Sequence, residues 1–248
     1  MRSQKGFSLI ELLVATAVLL LMMAGVFSQI GKLQKASQAE EVKRDMFQNG
    51  REVMDQLNRD LHSAGFPNRN MYNRSAVNGA FIANPDSTAG SSVGLVMASP
   101  TQIMFEGDVD NDGVVDSVAY AYQTAAPAGT PAGITCTAAL GCFSRAQTAK
   151  IAGSPLPNTN GGVQLTLANY RVALEDVTAP AANSPVFSYF DASGNAVDAS
   201  AGLLYPSAAL ASIRTIKVNL NLQGESANLQ TRQRPRATLT LTSRLSNY

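Results

Sequence analysis

Histidine is almost absent from this chain, and its scarcity excludes several kinds of catalysis. The only histidine among the 248 residues is His62, which is most simply a surface or packing residue near the end of a helix. The segment Gly90–Gly94 has the G-x-S-x-G pattern of serine hydrolases, but that mechanism needs a later histidine, and none follows Ser92. The sequence contains no phosphate-binding loop and no zinc motif. We therefore expect a protein that is not an enzyme.

Cysteine is scarce as well, with only Cys136 and Cys142. Both follow the apolar N-terminal run described below, on the side of a membrane where disulfides are permitted. Gly141 would let the short loop between them close, so a disulfide is the preferred interpretation. Free thiols and a metal site are the alternatives, although zinc would lack further ligands because the single histidine lies far away in the sequence.

The chain has no large excess of either charge, since it contains 19 basic and 18 acidic residues. The global charge therefore does not indicate a nucleic-acid partner. The one local exception is the alternation of Arg232, Arg234 and Arg236 around Pro235, which could contact phosphates. We prefer to interpret these residues as a charged sheet edge that resists pairing with another strand.

Charge and proline are both absent from Leu12 to Ile30, and about twenty apolar residues can span a bilayer as a helix. Arg2 and Lys5 precede this run, which favours a cytoplasmic amino terminus with the rest of the chain outside. A secretory signal is the rival interpretation, but the small residues that its cleavage site requires fit poorly. Glu11 is the anomaly, because a carboxylate in hydrocarbon costs about 2.5–3.5 kcal/mol and needs a partner.

The segment Lys5-Gly6-Phe7 followed by Glu11 resembles the type III signal of type IV prepilins and pseudopilins. The resemblance implies that a prepilin peptidase removes Met1 to Gly6, that Phe7 is methylated, and that Glu11 guides docking to other subunits. The new α-amino group of Phe7 would lie about one helical turn from Glu11, within reach of another subunit. The alternative is a plain membrane anchor with an unpaired acid.

The helix is expected to continue beyond the membrane to about Ala64. Gly65 and Pro67 would then end it. Apolar residues recur at three-, four- and seven-residue steps and form one stripe that would pack on a head: Leu33, Ala36, Val42, Met46, Val53, Leu57 and Leu61. The predicted organisation is a signal peptide at 1–6, a membrane or filament-core half at 7–30, an amphipathic half at 31–64 and a globular head at 65–248.

The second half of this helix carries a more specific resemblance. Its residues Gln48 to Glu52, then Leu57, Asp60-Leu61 and Ala64 to Phe66, are similar to minor pilins of the PilW kind. This implies a part in the initiation, assembly or tip of a type IV pilus. Its partners would be minor and major pilins, the prepilin peptidase, the inner-membrane assembly platform and, before assembly, the membrane.

Two other functions remain open. The long helix and large head are also similar to pseudopilin J of type II secretion, which would end in a short periplasmic filament instead of an extracellular pilus. The third candidate is a pilus-tip adhesin or DNA-binding module, indicated by the arginines, the Gly- and Ser-rich loops and the large head. In each case the chain starts in the bacterial inner membrane with its head in the periplasm.

The head alternates segments rich in β-branched and aromatic residues with polar connectors, which predicts an antiparallel sheet packed on one long helix, an α+β pilin-like fold. The candidate strands are Gln102 to Glu106, Asp116 to Gln123, Cys142 to Gln147, Val163 to Val177 with a break, Val186 to Phe190, Ile213 to Leu222 and Ala237 to Leu245.

Between the first two of these strands, aspartates alternate ahead of Gly113 as they do in the first part of a calcium loop. The candidate ligands are the side chains of Asp108, Asp110, Asp112 and Asp116 and the backbone carbonyl of Val114. The loop departs from the EF-hand pattern because Ala119 occupies the position of the bidentate glutamate. The alternative is a hairpin turn at Asp112-Gly113 with exposed aspartates. A poorer copy of the pattern, starting at Asp191, is interpreted as a turn.

Overall fold

The computed structural model describes residues 8–67, 92–150, 170–181, 184–205, 207–224 and 233–247. Several predicted features lie outside these residues, namely Gly6, Phe7, the part of the expected strand from Val163 to Asn169, and Arg232. The described residues form one long helix followed by an antiparallel sheet, which confirms the predicted α+β pilin-like fold class.

The long helix, α1, spans Leu9–Ser63 and contains 55 residues. The residue before it, Ser8, is the N-cap, and its backbone carbonyl accepts the N–H groups of Glu11 and Leu12 at 3.0 and 3.2 Å. Beyond the helix, the N–H of Gly65 donates to the carbonyl of Glu106 at 2.9 Å. The helix therefore ends where the chain meets the sheet, and Pro67 cannot continue it.

Ten strands form a single sheet within the described residues. They are β1 Leu95–Ala98, β2 Gln102–Gly107, β3 Asp116–Gln123, β4 Leu140–Ala149, β5 Arg171–Thr178, β6 Phe187–Phe190, β7 Ala196–Val197, β8 Leu203–Leu204, β9 Thr215–Gln223 and β10 Arg236–Arg244. A short helix, α2, spans Ala208–Ser212 between β8 and β9.

The sheet has the spatial order β7-β6-β9-β5-β4-β3-β2-β1-β8, and β10 pairs with β9. All of these pairs are antiparallel. The meander from β2 to β4 aligns Tyr120 with Ile103 on one side and with Arg145 on the other. This register brings two polar side chains of adjacent strands together beneath α1.

Most strands lie where alternation predicted them, but β1, β7, β8 and α2 were not predicted. Each of these elements has only two to five residues. Such segments are too short to display a period. The three short strands form because neighbouring strands complete their hydrogen bonds, and α2 is capped by the side chain of Ser207.

The last third of α1 packs its apolar stripe on the sheet. Met54, Leu57, Leu61 and Ala64 are buried in one cluster with the large side chains of the central strands. Gly50 allows the close approach, because a Cβ there would collide with Leu239 and its side chain would have to move. The helix thus covers the face of the sheet near β9 and β10.

The stripe was expected to pack on the head from Leu33 onward, and this expectation was wrong for its first part. Leu33 and Val42 are exposed, and packing against the core starts at the half-buried Met46. The reason is geometric, since the sheet extends only along the last turns of the helix. The same three- and four-residue spacing continues where no sheet faces it.

The opposite face of the sheet holds a second, smaller core. Val96, Met104, Ala119, Ala146 and Tyr170 are buried together there. Successive residues of a strand point to opposite faces, so β2, β3 and β4 each contribute to both cores. This explains why these strands are buried on nearly every residue instead of alternating cleanly.

The turn predicted at Asp191 is observed as the connection between β6 and β7. The Asp191 carboxylate accepts the N–H groups of Ser193 and Asn195, both at 2.8 Å. The hydrogen bonds that Asp191 accepts hold its pKa below its usual value, the largest cause being the hydrogen bond with the Asn195 side chain. The aspartate therefore stabilises its own turn by accepting hydrogen bonds from the turn backbone.

The arginine patch lies where the sheet ends. Arg236 starts β10, which pairs with β9 alone among the described strands, and Arg234 is exposed just before it. This placement agrees with the interpretation of a charged sheet edge.

Leu57→Ala should destabilise the head by about 2–5 kcal/mol, because it opens a cavity in a fully buried site. Urea unfolding in detergent, followed by circular dichroism, measures the change. The matched control is Leu33→Ala on the exposed part of the same helix, which should shift the free energy of unfolding by less than about 0.5 kcal/mol. Equal effects of the two substitutions would contradict the packing described above.

Candidate assembly helix and acidic loop

The first half of α1 is an exposed apolar surface with one acid. Leu9, Ile10, Leu12 and Leu13 are 61–80% exposed around Glu11, which lies in the first turn. An 18-residue window of this helix has a mean hydropathy of 2.5 and none of it is buried, so by length and composition it can cross a membrane. An apolar surface of this extent requires lipid or other protein to cover it.

A second acid, Asp60, is buried where α1 meets the sheet. Its Oδ2 accepts the hydroxyl of Tyr120 at 2.6 Å and the Nε of Arg145 at 2.7 Å. Gln56, one turn earlier, donates to its Oδ1 at 2.6 Å. The carboxylate is only 1% exposed. One side chain of the helix is therefore bonded to both β3 and β4.

Burial and charge both act on the pKa values in this cluster of Asp60, Tyr120 and Arg145. Burial, and then the negative charge of Asp60, raise the pKa of Tyr120, so its hydroxyl stays protonated and donates. Burial alone would lower the pKa of Arg145, but the hydrogen bond and charge of Asp60 outweigh it and raise the pKa. The arginine therefore remains charged at the interface.

The residues of the predicted calcium motif form the loop between β2 and β3 together with the first residue of β3, and residues 108–116 are here called the acidic loop. One carboxylate oxygen from each of Asp108, Asp110 and Asp112 lies within 4.8 Å of the others. Asp108 is buried, whereas the other two are exposed. The structure does not place Asp116, the first residue of β3, in this group.

The acidic loop is longer than the two-residue hairpin turn that was the alternative interpretation. Gly113 has a φ of 85°, a left-handed conformation that favours glycine, and Asn111 has a φ of 59°. The N–H of Gly113 donates to Asp108 Oδ2 at 3.1 Å, and that of Val114 donates to Asp112 at 2.7 Å. The backbone is thus folded so that the aspartates converge.

Asp116 lies at the edge of the acidic loop. Its pKa is raised to about 6, first by burial and then by the negative charge of Asp110, with smaller contributions from Asp112 and Asp108. Gln147 opposes this shift by donating its Nε2 to Asp116 Oδ2 at 2.9 Å. The loop therefore concentrates negative charge that its own residues do not balance.

Two connections join the acidic loop to α1. The N–H of Asp108 donates to the carbonyl of Phe66, just past the helix, at 2.9 Å. Gln147, which holds Asp116, accepts a hydrogen bond from Arg145 at 2.8 Å. Because Arg145 also binds Asp60, a continuous polar chain leads from the loop to the helix.

A buried ion pair lies on the opposite face of the sheet. Lys150 Nζ and Glu106 Oε2 are 2.8 Å apart, and neither side chain is exposed. Glu106 Oε2 also accepts the N–H of Val93 at 3.0 Å. The serine of the G-x-S-x-G pattern, Ser92, is buried here, and its hydroxyl donates to the backbone carbonyl of Glu106 at 2.6 Å. The hydroxyl of Ser92 is therefore engaged in a hydrogen bond that stabilises the fold.

Cys136 and Cys142 form a disulfide in the structure, with their Cα atoms 5.3 Å apart. Within the bridged loop, Thr137 and Leu140 exchange hydrogen bonds at 2.7 and 3.0 Å. The bridge fixes the start of β4, at the opposite end of that strand from the acidic loop. His62 is exposed near the end of α1, and its backbone carbonyl accepts the side chain of Asn247.

The family model for the prokaryotic N-terminal methylation motif matches residues 1–27. The match supports a type IV pilin-like prepilin. For such a prepilin, the motif implies processing by a prepilin peptidase and assembly with other pilins, and the apolar helix fits anchoring in a membrane. No curated protein and no solved structure matches the chain.

The sequence pattern indicated Glu11 and the acidic loop as candidate sites but did not indicate the polar groups that join the helix to the sheet. Asp60 carried a signal, because a charged residue on the stripe of Leu57 and Ala64 must find a partner. No sequence pattern indicated its partners in β3 and β4, since they lie 60 and 85 positions away in the chain. No sequence pattern indicated the Glu106–Lys150 ion pair either.

Asp60→Ala should cost about 3 kcal/mol, because it leaves the Tyr120 hydroxyl buried without an acceptor and Arg145 without its anion. Asp55→Ala, an exposed acid on the same helix, should change stability by less than about 0.5 kcal/mol. Urea unfolding of the two variants in detergent measures both values. A loss for Asp60→Ala as small as that of the control would show that the carboxylate does not hold the junction.

Proposed function

We propose that this chain is a minor pilin of the PilW kind that takes part in the initiation, assembly or tip of a type IV pilus. The observation that carries the proposal is Glu11, a single acid in the exposed apolar half of a helix whose other end is buried in a folded head. Such a surface fits lipid before assembly and the helices of other subunits afterwards.

The docking role of Glu11 follows from the cost of its charge. An ionised carboxylate at membrane depth costs about 2.5–3.5 kcal/mol, which a cation in contact can offset. Between Ser8 and Ile30 the chain itself offers none, because no lysine, arginine or histidine occurs there. Cleavage after Gly6 would create an α-amino group on Phe7 of each subunit, and the amine of one subunit would pair with Glu11 of another.

The continuity of α1 supports a structural function of the head. The helix runs unbroken from Leu9 into the core, and the Asp60 cluster bonds its last turns to the sheet. Docking at the apolar end therefore determines the position of the head at the other end. A rigid connection of this kind suits a filament subunit, whose head is presented at a defined place.

The mature protein should begin at Phe7 and carry one methyl group on its amine, because the cut falls before the apolar run and leaves that run in place as an anchor. Mass spectrometry of the membrane-extracted protein measures the terminus directly. A terminus after the apolar run would indicate a secretory signal, and an uncut Met1 would indicate a plain anchor. Either result contradicts the proposal.

Glu11→Ala should reduce the protein in sheared surface filaments by at least about tenfold, which corresponds to the loss of only 1.4 kcal/mol of docking energy. The variant should still be inserted into the membrane and cleaved, because it makes the helix more apolar. The assay is quantitative mass spectrometry of the sheared filaments and of the membrane fraction. The matched control is Glu40→Ala, which removes an exposed acid farther along the same helix.

The same filament preparation tests the proposal as a whole. Wild-type protein in long surface filaments supports the minor pilin. Its absence from them, together with loss of protein secretion when the gene is deleted, would assign the chain to a type II secretion pseudopilus instead. Incorporation of Glu11→Ala at the wild-type level would remove the docking role of the acid.

A further inference from the structure

We propose that the acidic loop binds one calcium ion. The ligands are the carboxylates of Asp108, Asp110 and Asp112, the backbone carbonyl of Val114, and a water molecule held by Asp116. Binding of the ion is a property of the folded head and does not depend on assembly of the chain into a filament.

The distances between the carboxylates suit a single ion. Calcium binds oxygen atoms at about 2.3–2.6 Å, so two ligands on opposite sides of it are about 4.6–5.2 Å apart. The three oxygen atoms from Asp108, Asp110 and Asp112 lie within 4.8 Å of one another. They can therefore contact one centre without a change in the course of the backbone.

The strongest sign of a missing ligand is the carboxylate of Asp108. This residue is only 6% exposed, and its Oδ1 is buried with no hydrogen-bond partner in the described part of the chain. Oδ2, by contrast, accepts the N–H of Gly113 at 3.1 Å. A buried carboxylate oxygen without a partner is costly, and a cation would satisfy it.

In the part of the chain that the structure describes, no side chain supplies that positive charge. Within the described residues, no lysine or arginine forms a salt bridge with Asp108, Asp110, Asp112 or Asp116. The amide of Gln147 is the neutral donor nearby, at 2.9 Å from Asp116 Oδ2 and 3.5 Å from Asp110 Oδ2. It reduces the repulsion between carboxylates but adds no charge.

The ligand set favours calcium over other metals. Oxygen-only ligands select hard cations, and a combination of several carboxylates, a backbone carbonyl and water is typical of calcium, whereas magnesium retains most of its own water. The position of the bidentate glutamate is occupied by Ala119, which is buried in β3. We therefore expect a dissociation constant of about 10⁻⁴–10⁻³ M, the range of extracellular calcium modules.

Calcium would stiffen the junction between head and helix. The ion would hold Asp108, whose N–H bonds the carbonyl of Phe66 just after α1. It would also order Asp116, which is joined through Gln147 and Arg145 to Asp60 of the helix. Binding should therefore raise the melting temperature of the whole head.

The test uses full-length protein in detergent, first stripped of metal with a chelator. Titration calorimetry with calcium chloride should show one ion per chain, and about 10 mM calcium should raise the melting temperature, whereas magnesium at the same concentration should not. The double substitution Asp110→Asn with Asp112→Asn should weaken calcium binding at least about tenfold and abolish the thermal shift. Both residues are exposed, so the variant should fold.

The matched control is Asp191→Asn, which removes one acid from the turn between β6 and β7 and should bind calcium like the wild type. Three results would overturn the proposal. These are no heat and no thermal shift with calcium in the wild type, unchanged affinity in the double variant, and equal affinity for magnesium.

Discussion

The hydrogen-bonded carboxylate of Asp60 is the interaction on which the arrangement of this molecule depends. It lies on the buried face of α1 and accepts bonds from Tyr120 and Arg145 of two adjacent strands. Hydrophobic packing alone is non-directional and would allow the helix to slide or rotate on the sheet. The carboxylate removes that freedom, because its bonds can be made in only one register.

Charges in apolar surroundings recur in this chain, and each has a different solution. Asp60 and the Glu106–Lys150 pair find their partners inside the folded head. Glu11 has no such partner on its own helix segment, and the filament proposal assigns it one in a neighbouring subunit. The third case is the Asp108 oxygen that has no hydrogen-bond partner among the described residues, and there the proposed partner is a metal ion. A charge that has no partner within the chain thus indicates that another subunit or a ligand supplies one.

The spacing of apolar residues predicted the general fold but not the order of its strands or the extent of its helix packing. Alternation located most strands, including β3 at Asp116–Gln123, and helical spacing with Gly65 and Pro67 located the end of α1. The order of the strands was not predictable, because pairing such as that of β9 with both β5 and β6 depends on contacts distant in sequence. The buried part of the stripe was misjudged for the same reason, since periodicity records an apolar face but not what covers it.

The sequence by itself determined the apolar helix with its single acid, the alternation of aspartates ahead of Gly113 and the two cysteines, because these features depend on neighbours within a few residues. Only the tertiary structure decided which acids are buried and which partners they meet. Hydrogen bonds such as that between Tyr120 and Asp60 join residues 60 positions apart. No local pattern encodes such a distance, since the energy of the bond depends on a geometry that exists only after the sheet and the helix have packed.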